Sequence, residues 1–291
     1  MSCRLILNAD DFGLTHGINR AIGELHATGV LTSATLMANG PAFADAASVA
    51  RTHPALGVGC HIVLTDGVPV CPPESIPSLL GPDGKSFRPS LADFVRALLL
   101  GRIREVDIAR EALAQIEKLQ RAGISITHID THKHTHLFPR IARPILQVAE
   151  RTSIGAIRNP FEPDWSLSLN HGSRLRRLAI GAAGRLRPAF EAALRLHHGR
   201  VLTTDGTIAI SATGELNAAS LAEVLRALPA SGTYELCCHP GYNDQDLDQV
   251  TTRLRAHRNV EREALLSEIP RLLAQPKAPR LIHYGSLGAS G

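Results

Sequence analysis

The sequence predicts an α/β fold, a distorted (β/α) TIM-like barrel with mostly parallel strands and helices outside. Three observations predict it. Short apolar runs alternate with amphipathic stretches along nearly all of the 291 residues. Polar, chemistry-bearing residues appear where those runs end, at Asp10-Asp11, His61, Asp130-His132 and His239. No glycine-rich phosphate loop follows the first run, so acids stand where an open doubly wound sheet would carry its nucleotide turn.

The elements follow in order. Arg4–Asn8 is a short apolar strand that delivers Asp10 and Asp11 into a turn at Phe12-Gly13. Ile18, Ala21, Ile22 and Leu25 keep helical spacing up to Gly29. A strand is expected at Thr32–Met37, a helix from Pro41 to Arg51, and a strand at Leu56–Leu64. Residues 65–89, rich in Pro and Gly, read as a long active-site loop. Helices at about 90–99 and 104–122 precede Gly123 and a strand at Ile124–Ile129. A helix from Pro139 to Arg151 leads to a short strand, Gly155–Arg158, and an irregular segment that holds Trp165. Strands near Thr207–Ser211, Thr233–Cys238 and Arg280–Tyr284, with helices near 218–228 and 260–274, complete the pattern. The whole of 1–291 reads as a single domain, with 159–200 an irregular and basic helical insertion.

Composition narrows the function. Net charge is +4 and aromatic residues make up only 4%, a poor base for stacking nucleic acid strands, so no nucleic-acid partner is expected. No apolar run approaches the roughly 18–20 residues of a membrane span. The N-terminus carries an acid too early for a signal peptide, and a cytoplasmic location is expected. Five cysteines without a repeated spacing read as reduced thiols. The positive charge is uneven: Arg174 to Arg200 holds seven arginines against the single acid Glu191, interleaved with leucines. That stretch reads as a basic amphipathic helix or helix pair, broken near Gly184 or Pro188. It either packs on the domain or touches an anionic membrane surface or an amphiphilic substrate.

The run Thr127–His136 is the densest chemical signal. In extended backbone, Asp130, His132, His134 and His136 share one face, the geometry of a metal site. In a parallel barrel the strand ends meet on one face, so distant residues converge. One carboxylate with two imidazoles is a frequent open ligand set for a catalytic divalent ion, and Asp11, His61 and His132 are the preferred ligands. The neighbouring Asp10 is left to act as a general base. Asp130 is placed to orient a ligand histidine, with His134 and His136 as further second-layer or substrate-binding groups.

The segments Asn8–Gly13, Gly59–His61, Thr127–His136 and Cys238–Gly241 resemble, in order, the signature segments of the YdjC-like carbohydrate deacetylases. The resemblance implies a metal-dependent amide hydrolase, on a distorted (β/α) barrel, that removes acetyl from an N-acetylated sugar. It puts the metal on Asp11, His61 and His132, the base at Asp10, and at His239 the acid for the departing amine or a group that polarises the carbonyl. Magnesium is the metal the family implies, whereas two imidazoles suit zinc or another transition metal better. Asn39–Phe43 and Leu64–Glu74 resemble the hopanoid-associated branch more than the chito-oligosaccharide enzymes, which implies an N-acetylglucosaminyl hopanoid lipid as substrate. A soluble chito-oligosaccharide such as diacetylchitobiose is the alternative. A sugar-binding or regulatory protein without turnover is the non-enzymatic one, and it would have no need of Asp10 beside Asp11. The basic stretch 174–200 would suit peripheral contact with the inner membrane surface. A homodimer is left open.

Overall fold

The structure, a computed structural model, describes residues 3–169, 171–197 and 199–288. Seven strands form one parallel sheet: β1 (Arg4–Phe12), β2 (Ser33–Leu36), β3 (Gly57–Ile62), β4 (Ile129–Thr131), β5 (Gly206–Ile208), β6 (Thr233–Cys238) and β7 (Arg280–Leu281). The order is β4-β3-β2-β1-β6-β5, with β7 also pairing β1. Helices α1 (His16–Ala27), α2 (Phe43–Thr52), α3 (Leu91–Leu99), α4 (Glu105–Arg121), α5 (Pro139–Arg151), α6 (Asp164–Leu167), α7 (Arg174–Ala183), α8 (Arg187–Arg195), α9 (Ala218–Arg226) and α10 (Ala256–Leu273) surround it. The crossovers place the helices outside, as parallel pairing requires.

The sheet curls into a distorted barrel, and the irregular segment 155–161 draws its open edges together. On one side Ile129 and Ala156 share a ladder bond, and Arg158 N–H donates to Ile129. On the other, Ile157 N–H donates to Leu202 and Thr207 N–H to Phe161. The short strand expected at Gly155–Arg158 is therefore two isolated bridges.

Period-2 alternation along β1 sorts the interior from the outer shell. Leu5, Leu7 and Ala9 face the helices and join the main apolar core. Ile6 belongs to a separate small cluster with Ala156, Ile282, Tyr284 and Leu287 that closes one end of the barrel. Asn8 and Asp10 follow Ile6 on the same face and begin a polar layer above that plug.

Other expectations also need correction: the strand near Thr207–Ser211 is Gly206–Ile208, and the one at Arg280–Tyr284 is only Arg280–Leu281. The strand expected at Ile124–Ile129 is only Ile129–Thr131. The run after it is not extended: His132–Leu137 is a 3-10 turn with Lys133 (φ 57°) and His134 (φ 52°) in the left-handed region. The four side chains Asp130, His132, His134 and His136 therefore do not share one face through strand alternation. The basic stretch does break near Gly184, where a 3-10 turn at Gly184–Leu186 separates α7 from α8.

Candidate active site

Site residues come from the C-terminal ends of β1, β3, β4 and β6, where a parallel barrel gathers its loops. The end of β1 is shaped by a bulge: its register against β2 slips between Ala9 and Phe12. Asp11 takes φ 63° there, and Gly13 follows at φ 94°. The bulge turns two adjacent carboxylates in different directions, which regular alternation alone could not combine with a common depth. Gly59, two residues before His61 on β3, is required by close approach, since a Cβ there would lie 2.5 Å from the His128 ring.

Asp11, His61 and His132 are brought together. Nε2 of His61 is 3.3 Å from Nδ1 of His132 and 3.7 Å from Oδ1 of Asp11, and the third side, His132 to Asp11, is 3.5 Å. Ligands at about 2.0–2.1 Å around a tetrahedral ion stand about 3.3–3.4 Å apart, so this triangle fits a cation with little movement. Two of the three donors are also oriented from behind. His61 Nδ1 lies 2.7 Å from Asp130 Oδ1, which leaves Nε2 to face the triangle. Arg258 of α10 donates to Asp11 Oδ2 at 2.6 Å and leaves Oδ1 for the triangle. His132 is the most open of the three, its side chain 20% exposed, so solvent reaches the triangle from its side.

Electrostatics agree with the geometry. Burial would raise the Asp11 carboxyl, but the Arg258 guanidinium together with His132 and His239 outweighs it and holds the group well below the usual carboxylate range. Burial would lower His61, yet the Asp130 carboxylate lifts it to about 9. The pocket thus favours positive charge at the His61 ring, the place a cation would fill. Two other groupings of potential ligands exist among the described residues, Asp10 with Cys237 and His239, and Asp10 with His61 and Asp130. Both use Asp10, whose oxygens already receive Arg158. The Cys237 thiol is also driven well above its ordinary value by burial, which keeps it a proton donor to Asp10.

Asp10 is not the unengaged acid that sequence alone suggested. Arg158 grips it with two nitrogens at 2.8 and 2.6 Å, and Asn8 (3.0 Å) and Thr35 (3.2 Å) also donate to it. Burial pushes its carboxyl up, and Arg158 overrides that and holds it well below the carboxylate range. Arg158 also reaches Asp130 at 2.5 Å and Glu235 at 2.9 Å, so one buried guanidinium ties three acids from three strands. Glu235 is pushed up by burial and takes a further hydrogen bond from the Tyr284 hydroxyl.

His239 also stands beside Asp10, its Nε2 3.9 Å from Oδ2. Its backbone N–H donates to Glu261 of α10 at 2.6 Å, and its Nδ1 lies 3.9 Å from the same oxygen. His136 has both ring nitrogens engaged inside the protein, with the Thr131 hydroxyl at 2.7 Å and the Arg158 carbonyl at 3.1 Å. It braces the turn and has no nitrogen left for a ligand. His134 keeps a buried Nδ1 without a partner, and burial pushes it down to about 3, so it is a neutral imidazole.

Sequence reading missed Arg158, Glu235, Arg258 and Glu261. A signal existed for two of them, since Arg158 and Glu235 are charges inside apolar strand-like runs. It was absent for Arg258 and Glu261, which sit in a charged helix that looks ordinary.

The YdjC-like protein family model matches residues 4–275. A protein named carbohydrate deacetylase from Geobacillus stearothermophilus is 34% identical over 281 residues, 96% of each chain. One of the same name from Brevibacillus brevis is 42% identical over 158 residues, 54% of this chain and 60% of that protein. A solved structure from Enterococcus faecalis V583, provisionally named a cellobiose-phosphate cleavage protein, superposes with TM-score 0.78 over 99% of both chains at 24% identity, a likeness of fold. A matching family model over nearly the whole sequence and a full-length relative at this identity lead to one conclusion: the chain belongs to the YdjC-like family.

Proposed function

We propose that this protein is a hydrolase, a metal-dependent carbohydrate deacetylase that removes acetyl from an N-acetylglucosamine-type sugar. The observation that carries the reading is the Asp11, His61 and His132 triangle, oriented from behind by Asp130 and Arg258, with Asp10 and His239 beside it. The carbohydrate deacetylase relatives support the same class.

Asp11, His61 and His132 would hold the ion. A divalent cation there supplies Lewis acidity that polarises the acetyl carbonyl and makes a nearby water more acidic. Asp10, kept anionic by Arg158, takes a proton from the attacking water. Its depressed basicity means it does so only where that water is already acidified, which confines reaction to the site. His239, beside Asp10, delivers a proton to the departing nitrogen, and its backbone anchor to Glu261 fixes its place. Amide hydrolysis then yields acetate and the free amino sugar, with no covalent enzyme intermediate.

Zinc, or another transition ion, matches two imidazoles and one carboxylate better than magnesium does. For substrate, the segments 39–43 and 64–74 favour an N-acetylglucosaminyl hopanoid lipid over diacetylchitobiose. The test is acetate release from each substrate, with bound metal measured in parallel. Asp10→Asn should lose turnover and keep metal, and His132→Ala should lose both. Turnover by Asp10→Asn at the wild-type rate would overturn the roles, and clear preference for diacetylchitobiose would remove the lipid substrate.

A further inference from the structure

Helix α7 is turned inside out. It buries none of its 10 residues. Leu175 is 80% exposed and Leu178 61%, and the exposed Ala179 and Ala182 lie on the same face at helical spacing. Two of its three arginines, Arg176 and Arg177, turn toward the protein instead. Arg176 donates to the carbonyls of Ser211 and Thr213, and Arg177 donates to the carbonyl of Gly172 at 2.6 Å. Arg187, just beyond, likewise reaches the Glu162 carbonyl at 3.2 Å and lies over the Phe161 ring. An amphipathic helix normally buries its apolar stripe and hydrates its charges, and here the guanidinium groups are the internal anchors.

The apolar stripe is flanked by positive charge. Arg174 and Arg185, at its two ends, are exposed and have no side-chain partner among the described residues. The single acid of the stretch, Glu191, lies on α8 beside Arg195, and Arg200 is taken by Glu150. Leucines framed by unpaired arginines match an anionic bilayer, where the apolar edge enters the acyl boundary and guanidinium groups meet phosphates. A second copy of the chain fits less well. A two-fold contact would bring like charges together, and one face of a 10-residue helix falls short of the roughly 800 Å² per partner of a stable interface.

We propose that α7 docks this protein on anionic membrane surfaces through Leu175, Leu178, Ala179 and Ala182, with Arg174 and Arg185 on lipid phosphates. Among the described residues no helix is long and apolar enough to cross a membrane, so the contact is peripheral. The backbone that Arg176 grips belongs to the loop after β5, on the barrel face where the candidate site opens. Docking therefore sets the site's face toward the bilayer. The proposal sharpens the lipid-borne substrate reading to a helix face and named side chains, and it is testable without turnover.

The experiment is sedimentation with vesicles of phosphatidylcholine alone and of phosphatidylcholine mixed with phosphatidylglycerol. The wild type should partition onto the mixed vesicles, and added salt should reduce it. Leu175→Asp with Leu178→Asp should lower that binding about tenfold or more. Arg174→Glu with Arg185→Glu should remove the preference for anionic vesicles. Circular dichroism should be unchanged, and acetate release from a soluble acetylated sugar should equal wild type in both variants, which separates this proposal from the catalytic one. Failure of the wild type to bind anionic vesicles, or equal binding by the leucine variant, overturns it. So does a dimer that the leucine variant splits in the absence of vesicle binding, since the face would then belong to a second copy.

Discussion

Arg158 is the most informative residue to perturb, because among the described residues it alone links Asp10, Asp130 and Glu235 in the buried polar layer. Arg158→Met keeps the apolar stem and removes the charge. A net hydrogen bond to a charged group is worth about 1.5–3 kcal/mol, and three partners would suggest more than twice that. The sum overstates the loss, because Glu235 is already pushed by burial toward its neutral form and needs less compensation. Removing one member of a buried ion pair costs about 3–5 kcal/mol, and that is the expected loss at pH 8. The pH dependence has a defined sign. In the wild type Asp10 and Asp130 are held below their unfolded values, so their contribution is full above about pH 4 and fades as pH falls through the folded values. Without Arg158, burial leaves both carboxyls raised, and the variant loses stability as pH rises past that same point. The gap between the two proteins must therefore be wider at pH 8 than at pH 5. Urea unfolding followed by circular dichroism at both pH values, with Arg158→Lys as an intermediate variant that keeps a point charge, measures it. A loss under about 1 kcal/mol at pH 8, or a gap that widens toward acid, would refute the reasoning.

Other outcomes follow from the same structure. Gly59→Ala places a methyl group 2.5 Å from the His128 ring, and it should destabilise by about 1–3 kcal/mol in thermal or urea unfolding through the forced displacement. Glu111 accepts the backbone N–H groups of Val70 (2.8 Å) and Cys71 (3.0 Å). Glu111→Ala should therefore raise amide exchange at those two positions and speed proteolysis within 65–89, at a cost of about 1–3 kcal/mol for each orphaned group. Stripping divalent metal should lower Tm by about 5–10 °C relative to protein in a hundredfold excess of ion over Kd, and Asp11→Ala should show no such difference.

Much of the site was legible because its residues stand at the ends of apolar runs. Asp11, His61 and His132 each follow or finish such a run, and topology does the rest. What lay behind them was not, since Arg158 meets Asp10 across 148 positions and Arg258 meets Asp11 across 247. Nor could the sequence direct His134 and His136. Two consecutive non-glycine residues with positive φ, Lys133 and His134, break the alternation without any glycine to announce it. The loop at 65–89 announced itself through Pro and Gly, but not its tether. In α7, residue spacing defined two faces and could not say which one turns inward, because guanidinium groups can satisfy buried carbonyls as well as water does.

That tether has a mechanical meaning. Asp107, Glu111 and Gln115 recur every fourth residue along α4, all buried, and each grips backbone of the segment 63–78: Ser78 by the first, Val70 and Cys71 by the second, Val63 by the third. The Asp66 carboxylate in turn holds Lys133, next to His132, at 3.0 Å. A segment clamped at three heights to one rigid rod cannot swing alone. Through Asp66 and Lys133 it also ties the turn that carries His132 to the same rod, so that the turn and the segment shift only together.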